Sequence, residues 1–283
     1  MRDTLTSRMV VNVVGIPAII AIVYLGEFYF AIFVTLASIL ALTEFYRLAR
    51  LKDVSPVPWV GWLACVVIAV FYYRGTGDSL LPVAWHELLV TLVLLVAIFE
   101  LGRNRQNATS NISTTMAGIL YVPLLLGTLI GIRQIDLVDY AFGMRLTLGL
   151  FFSVWLCDSA AYAFGKKWGK KKILERVSPK KTVTGTLAGI VIAVVAYVTM
   201  VRIGFLAPAH STHSLSMTDA VILGVIVGVF GQAGDFVESL MKRDVGVKDS
   251  GRFLMGHGGV LDRFDSLIVA SPLTYLYLNQ FVF

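Results

Sequence analysis

Residues Ser239–Asp265, SLMKRDVGVKDSGRFLMGHGGVLDRFD, are framed by two apolar runs, 219–240 and 264–282. The stretch holds six acidic or hydroxyl side chains, five Lys or Arg, and the turn Gly256-His257-Gly258-Gly259. A lipid-facing helix does not tolerate such a load, since an ionised group near the bilayer centre costs roughly 2.5–3.5 kcal/mol or more. A plain connecting loop has no use for it either. The stretch reads as a place where a membrane protein handles phosphate and metal.

Apolar runs recur along the whole 283-residue chain, which is 57% hydrophobic and 15% charged, with a mean hydropathy of +0.78. That composition excludes an ordinary soluble domain. Runs at 9–25, 28–46, 57–73, 86–101, 114–132, 146–164, 184–205, 219–240 and 264–282 are long enough to cross a bilayer as helices. The expected fold is an all-α polytopic integral membrane protein with about nine transmembrane helices. Of the 24 Lys and Arg, all but Arg74, Arg133, Arg145 and Arg202 fall on one side of this threading. The positive-inside rule then places the N-terminus in the cytoplasm and the C-terminus outside. The first run follows Arg8 without a small-residue cleavage site, so it is expected to be retained. One membrane domain over 1–283 is expected, with scaffold helices in 1–113 and catalytic helices and loops in 114–283. Cys65 and Cys157 sit in apolar runs, which argues against a disulfide framework or a thiolate metal site. The sequons at Asn107 and Asn111 fall on the cytoplasmic side, where glycosylation is not expected.

The unusual polar residues of the second half form three groups. Asp158, Tyr162 and Gly165 share one face of a helix. An Asp so placed either lines a wet, protein-walled cavity or pairs with a loop lysine. Eight Lys or Arg between Lys166 and Lys181 suit a topology anchor or an anionic lipid. Within them, Ser178-Pro179-Lys180-Lys181-Thr182 presents two ammonium groups and two hydroxyls, a set suited to phosphate oxygens. In the third group Asp235 and Ser239 share a helix face, as do Asp262 and Asp265. Asp235, Asp262 and Asp265 together make a hard-cation site; Mg²⁺ favours one or two carboxylates plus waters and substrate phosphates. Ion pairing with Lys242, Arg243 and Arg263 is the competing use of the same acids. Gly258 and Gly259 supply permissive backbone for an anion nest, while a lone His257 is more often structural. Glu44 with Arg47 and Glu100 with Arg103 read as interfacial anchors. Trp59, Trp62 and Trp85 read as belt residues.

On these residues the chain resembles the phosphatidate cytidylyltransferase (CDP-diacylglycerol synthase) family. The family signature is matched in register by Ser239, Met241, Lys242, Arg243, Lys248, Asp249, Gly251, Leu254, His257, Gly258, Gly259, Val260, Asp262, Arg263, Phe264 and Asp265. Asp158, Ala161, Tyr162, Gly165 and the Ser178–Thr182 segment also resemble it, and Glu44-Phe45-Tyr46-Arg47-Leu48 is a weaker echo. Met255 stands where the family has Pro or Gly, and Val183-Thr184 stand where it continues Trp-Glu.

The resemblance implies attack of phosphatidate on the α-phosphorus of CTP, giving CDP-diacylglycerol and pyrophosphate. It implies Mg²⁺, with a second cation left open, at Asp235, Asp262 and Asp265, and Ser239 as a further oxygen ligand. Lys242, Arg243, Lys248 and Arg263 would contact phosphates, and Lys180 and Lys181 would close over a substrate. Asp249 would orient Lys248 or meet the nucleotide, and His257 and the glycines would shape the loop. A homodimer in a bacterial inner membrane, with its active site facing the cytoplasm and no nucleic-acid partner, is the implied setting. A CTP-dependent lipid kinase and a paralogue with another lipid acceptor stay open. A CDP-alcohol phosphotransferase lacks its motif here. A transporter would carry its acids near mid-bilayer rather than at helix ends.

Overall fold

The computed structural model describes residues 2–74, 84–135, 140–207, 214–251 and 258–283. Helices α1 (Arg2–Leu25) and α2 (Glu27–Arg50) meet at Gly26, whose φ of 122° suits glycine. Helix α3 (Pro58–Arg74) opens on a proline, tolerated in a first turn. Helix α4 (Trp85–Arg103) stops at Asn104 in the left-handed region. The next apolar run is broken into α5 (Ala108–Tyr121), α6 (Pro123–Leu126) and α7 (Thr128–Arg133). Pro123 has no amide hydrogen to continue the ladder, and a Cβ on Gly127 would strike the Tyr72 ring.

Helix α8 (Tyr140–Trp168) packs along α9 (Val183–Arg202), which packs along α10 (Met217–Ile226). A π-helical turn, Val227–Gly231, leads into α11 (Gln232–Asp244), which lies on α12 (Leu261–Tyr277); Leu278–Val282 close the chain with a second wide turn. No strand forms among the described residues. Among the described residues, six helical runs are long and apolar enough to cross a membrane: Glu27–Arg50, Trp85–Arg103, Ala108–Arg133, Ala141–Trp168, Val183–Arg202 and Met217–Asp244. Val14–Leu25 and Pro58–Tyr73 are shorter apolar helices. The run expected at 114–132 therefore starts earlier and is interrupted, and the one expected at 146–164 is longer.

The burial pattern suits a lipid surround. On α9 the buried face is Gly185, Gly189, Ala193 and Tyr197, while Leu187, Val191 and Val195 are exposed. Small residues inward and branched ones outward let backbones approach, as membrane helices do. Gly224 and Gly228 each lie on the α9 backbone, at Val194 and Ile190, with no room for a Cβ.

Glu100 and Arg103 form an ion pair at 2.6 Å, but not an interfacial anchor: Glu100 is buried and central to a polar network. Its other oxygen accepts from Asn111 Nδ2 at 2.6 Å. Asn111 Oδ1 accepts the Ser55 amide at 2.7 Å, Thr115 Oγ1 accepts that of Val57, and Tyr46 OH donates to the Thr115 carbonyl. Asn111 is fully buried, which leaves that sequon without an accessible acceptor. Asn111→Ala strands two buried partners and is expected to cost about 1–3 kcal/mol, read as a lower Tm in detergent.

Candidate functional site

The ends of α2, α8, α11 and α12 gather with the 169–182 loop on one side of the molecule. The loop is pinned by an antiparallel bridge between Lys172 and Thr182. Thr182 caps α9, its Oγ1 accepting the Gly185 amide at 3.2 Å, and is itself buried. Gly165 and Gly169 leave room for that hydroxyl. Thr182 is thus spent on the helix start. Val183 and Thr184, the departures from the family pattern, follow it in the first turn without disturbing the cap.

The Ser178 carbonyl accepts the Lys181 amide, closing a turn over Pro179 and Lys180. Lys180 is left exposed. Lys181 turns back instead, its Nζ 2.5 Å from Asp235 Oδ2 and 4.3 Å from the centre of the Phe236 ring. Asp235 also accepts from Ser239 Oγ at 3.3 Å. Asp158, Asp235 and Asp265 are close enough for their charges to repel one another, with Lys181 opposing all three. Tight packing creates this proximity: Gly234 sits directly on the Asp265 carbonyl, and Gly189 on Cys157 and Gln232.

Asp262 belongs to a different arrangement. Its Oδ1 is 2.5 Å from Lys242 Nζ. Its Oδ2 accepts the Gly259 amide at 2.6 Å and the Ser250 amide at 3.0 Å, with Ser250 Oγ at 2.9 Å. Asp262 precedes the apolar run of α12. Burial acts to raise its pKa, but hydrogen bonding with Glu238, the Gly259 amide and Lys242 outweighs this and holds it at about 2. Lys242 pairs on its other side with Glu238, which is fully buried. The Gly259 amide expected to cradle an anion is therefore used by Asp262. Gly258, at φ 83°, makes the turn that delivers it.

Arg243 bridges two loops, donating to the Val177 and Val247 carbonyls at 3.4 and 3.0 Å. Lys248, Asp249, Arg263, Asp158 and Tyr162 are exposed on the same side, and Lys166 stands 5.8 Å over the Tyr162 ring. His257 lies outside the described residues. Sequence reasoning missed three residues. Glu44, whose spacing to Arg47 suggests an anchor, is buried and accepts from Ser250 Oγ and from the Val260 and Leu261 amides. Ser250 joins Glu44 to Asp262. Glu238 could have been found from its i, i+4 spacing to Lys242.

Acids and bases thus face one another at the ends of α2, α8, α11 and α12, joined by a glycine turn. The Cytidylyltransferase family model matches residues 6–281, and the chain belongs to that family. It is 32% identical over 278 residues to a phosphatidate cytidylyltransferase of Bacillus subtilis, covering 97% of each chain. A phosphatidate cytidylyltransferase of Staphylococcus haemolyticus is 30% identical over 273 residues, covering 96% of this chain and 98% of its own. One from a Synechocystis species is 27% identical over 295 residues, covering 96% of each.

Lys242→Met removes the cation between two acids and is expected to cost about 3–5 kcal/mol. Adding Glu238→Gln should restore part of the loss, measured by thermal unfolding in detergent.

Proposed function

We propose that the protein transfers the cytidylyl group of CTP to phosphatidate, giving CDP-diacylglycerol and pyrophosphate. End-to-end similarity to relatives carrying that activity in their names supports the reading most directly. The placement of acids and bases at helix ends adds to it, because the reaction joins a soluble nucleotide to a lipid. A phosphatidate oxygen attacks the α-phosphorus, and the bond to the bridging oxygen breaks with its electron pair leaving on pyrophosphate. The attacking monoester is already ionised near neutral pH, so it needs no serine or cysteine nucleophile. The harder task is to bring two polyanions together and hold them in line.

Lys248, Arg263, Lys180 and Arg243 are the exposed cations for that task. Lys181 would shift from Asp235 toward phosphate, and Lys242 would act chiefly by fixing Asp262. Tyr162, Ser178, Asp249, Gly258 and His257 line or shape the substrate side in this reading. Asp235 and Asp265, with Asp158 nearby and Lys181 opposing them, would supply carboxylates to a divalent cation by moving together, since no three acids among the described residues stand close enough to hold one as placed. Ser239 would assist, and Asp262 would join by giving up a hydrogen bond. Bound Mg²⁺ would screen the two substrates and favour the leaving pyrophosphate. The setting is a single membrane domain crossing a bacterial inner membrane nine times, with the site cytoplasmic, the C-terminus external and a homodimer as the assembly.

Purified protein given phosphatidate, Mg²⁺ and α-³²P-CTP is expected to label lipid. Asp235→Asn should lower the rate about 10²-fold or more. Transfer of γ-label instead would point to a lipid kinase. For topology, Lys170→Cys should react with an impermeant maleimide only in inverted vesicles, and Arg202→Cys only in right-side-out ones.

A further inference from the structure

We propose that Glu44, on α2 and far in sequence from the motif residues of the second half, is a positioning residue that sets the place and hydrogen-bonding of Asp262; the proposal deepens the cytidylyl-transfer reading and rests on it. The Glu44 carboxylate lies in a socket built for it. Oε1 accepts the Val260 amide at 3.0 Å, and Oε2 accepts the Leu261 amide at 2.9 Å. These are amides at the very start of α12, where a negative charge is favoured and would otherwise be supplied from elsewhere. A Cβ on Gly251 or on Gly259 would run into the Glu44 oxygens, so both glycines make space for the carboxylate rather than for a substrate.

The link to Asp262 is Ser250. Its Oγ is 2.9 Å from Glu44 Oε2 and 2.9 Å from Asp262 Oδ2. A hydroxyl has one proton, so it serves one carboxylate at a time. The position of that proton on Ser250 therefore sets how many donors Asp262 keeps. Arg47, one turn along α2, grips the same residue from the other side, donating to the Ser250 carbonyl at 2.7 Å. Helix α2 thus holds Ser250–Gly251 and Gly259–Leu261 together on one carboxylate. Asp262, the residue immediately after, inherits its place from that closure. Glu44 touches no reacting atom in this account; it acts through Ser250 and the α12 start.

The test compares wild type, Glu44→Gln and Ser250→Ala in the CTP assay, with Tm in detergent and deuterium exchange of the 258–262 amides. Glu44→Gln keeps the shape but sets an amide donor against one of the N–H groups. It is expected to unfold within a few degrees of wild type, with kcat about 10- to 100-fold lower and KM for CTP within about threefold. The Val260 and Leu261 amides should exchange faster. Ser250→Ala should lower kcat in the same sense and leave those two amides protected. Wild-type kcat and exchange in Glu44→Gln would overturn the proposal, as would a loss of activity matched only by loss of folded protein. If wild type itself yields no CDP-diacylglycerol, the functional reading fails. The exchange pattern still judges whether Glu44 holds the α12 start.

Discussion

Lys242 stands between Glu238 and Asp262, and its ammonium contacts both acids in an otherwise apolar setting. Coulombic attraction in a low-dielectric site is strong, but so is the cost of bringing charges out of water, and only dense hydrogen bonding tips the balance. Asp262 has that density. Its remaining oxygen is taken by the Gly259 and Ser250 amides. Through Ser250 the arrangement reaches Glu44 and so ties the last helix to the second. Glu44, 206 residues before Ser250, is thereby joined to a site built around one cation.

A second concentration of charge is built differently. Asp158, Asp235 and Asp265 face Lys181 with far fewer hydrogen bonds than Asp262 receives. One cluster is closed by hydrogen bonds and the other is held by fewer of them. In the cytidylyl-transfer reading, that contrast would separate residues that keep the site assembled from residues that meet a cation or a phosphate. The sequence spacing, which groups Asp262 with Asp265, does not distinguish the two, because neighbours on one helix face can have different partners across the gap.

Much of this was legible beforehand. Apolar runs and lopsided charge point to a helical membrane protein, since backbone amides in lipid must pair within their own segment. The motif residues on α11 and at the start of α12 announce themselves by charge in an apolar context. Glu44 does not. A carboxylate at a helix end three residues before an arginine has a common explanation, and its real partners lie more than 200 residues away. Thr182 was legible as a hydroxyl beside lysines but not as a cap, because capping depends on where the helix begins. The interruption at Pro123 could have been read from the proline, yet the ring of Tyr72 that meets Gly127 could not.

The wide turn at Val227–Gly231 has a consequence for the molecule's phase. A π turn winds one more residue than an α turn, and one residue corresponds to about 100° of rotation. Helix α10, ahead of it, lays Gly224 on α9 and exposes Val221 and Val225. Helix α11, after it, directs Gln232, Glu238 and Lys242 inward. The two halves of one apolar run thus obey different neighbours, and the extra residue is the gear between them. Wound as α-helix throughout, the same sequence would turn Gln232, Glu238 and Lys242 about 100° away from the faces they now hold.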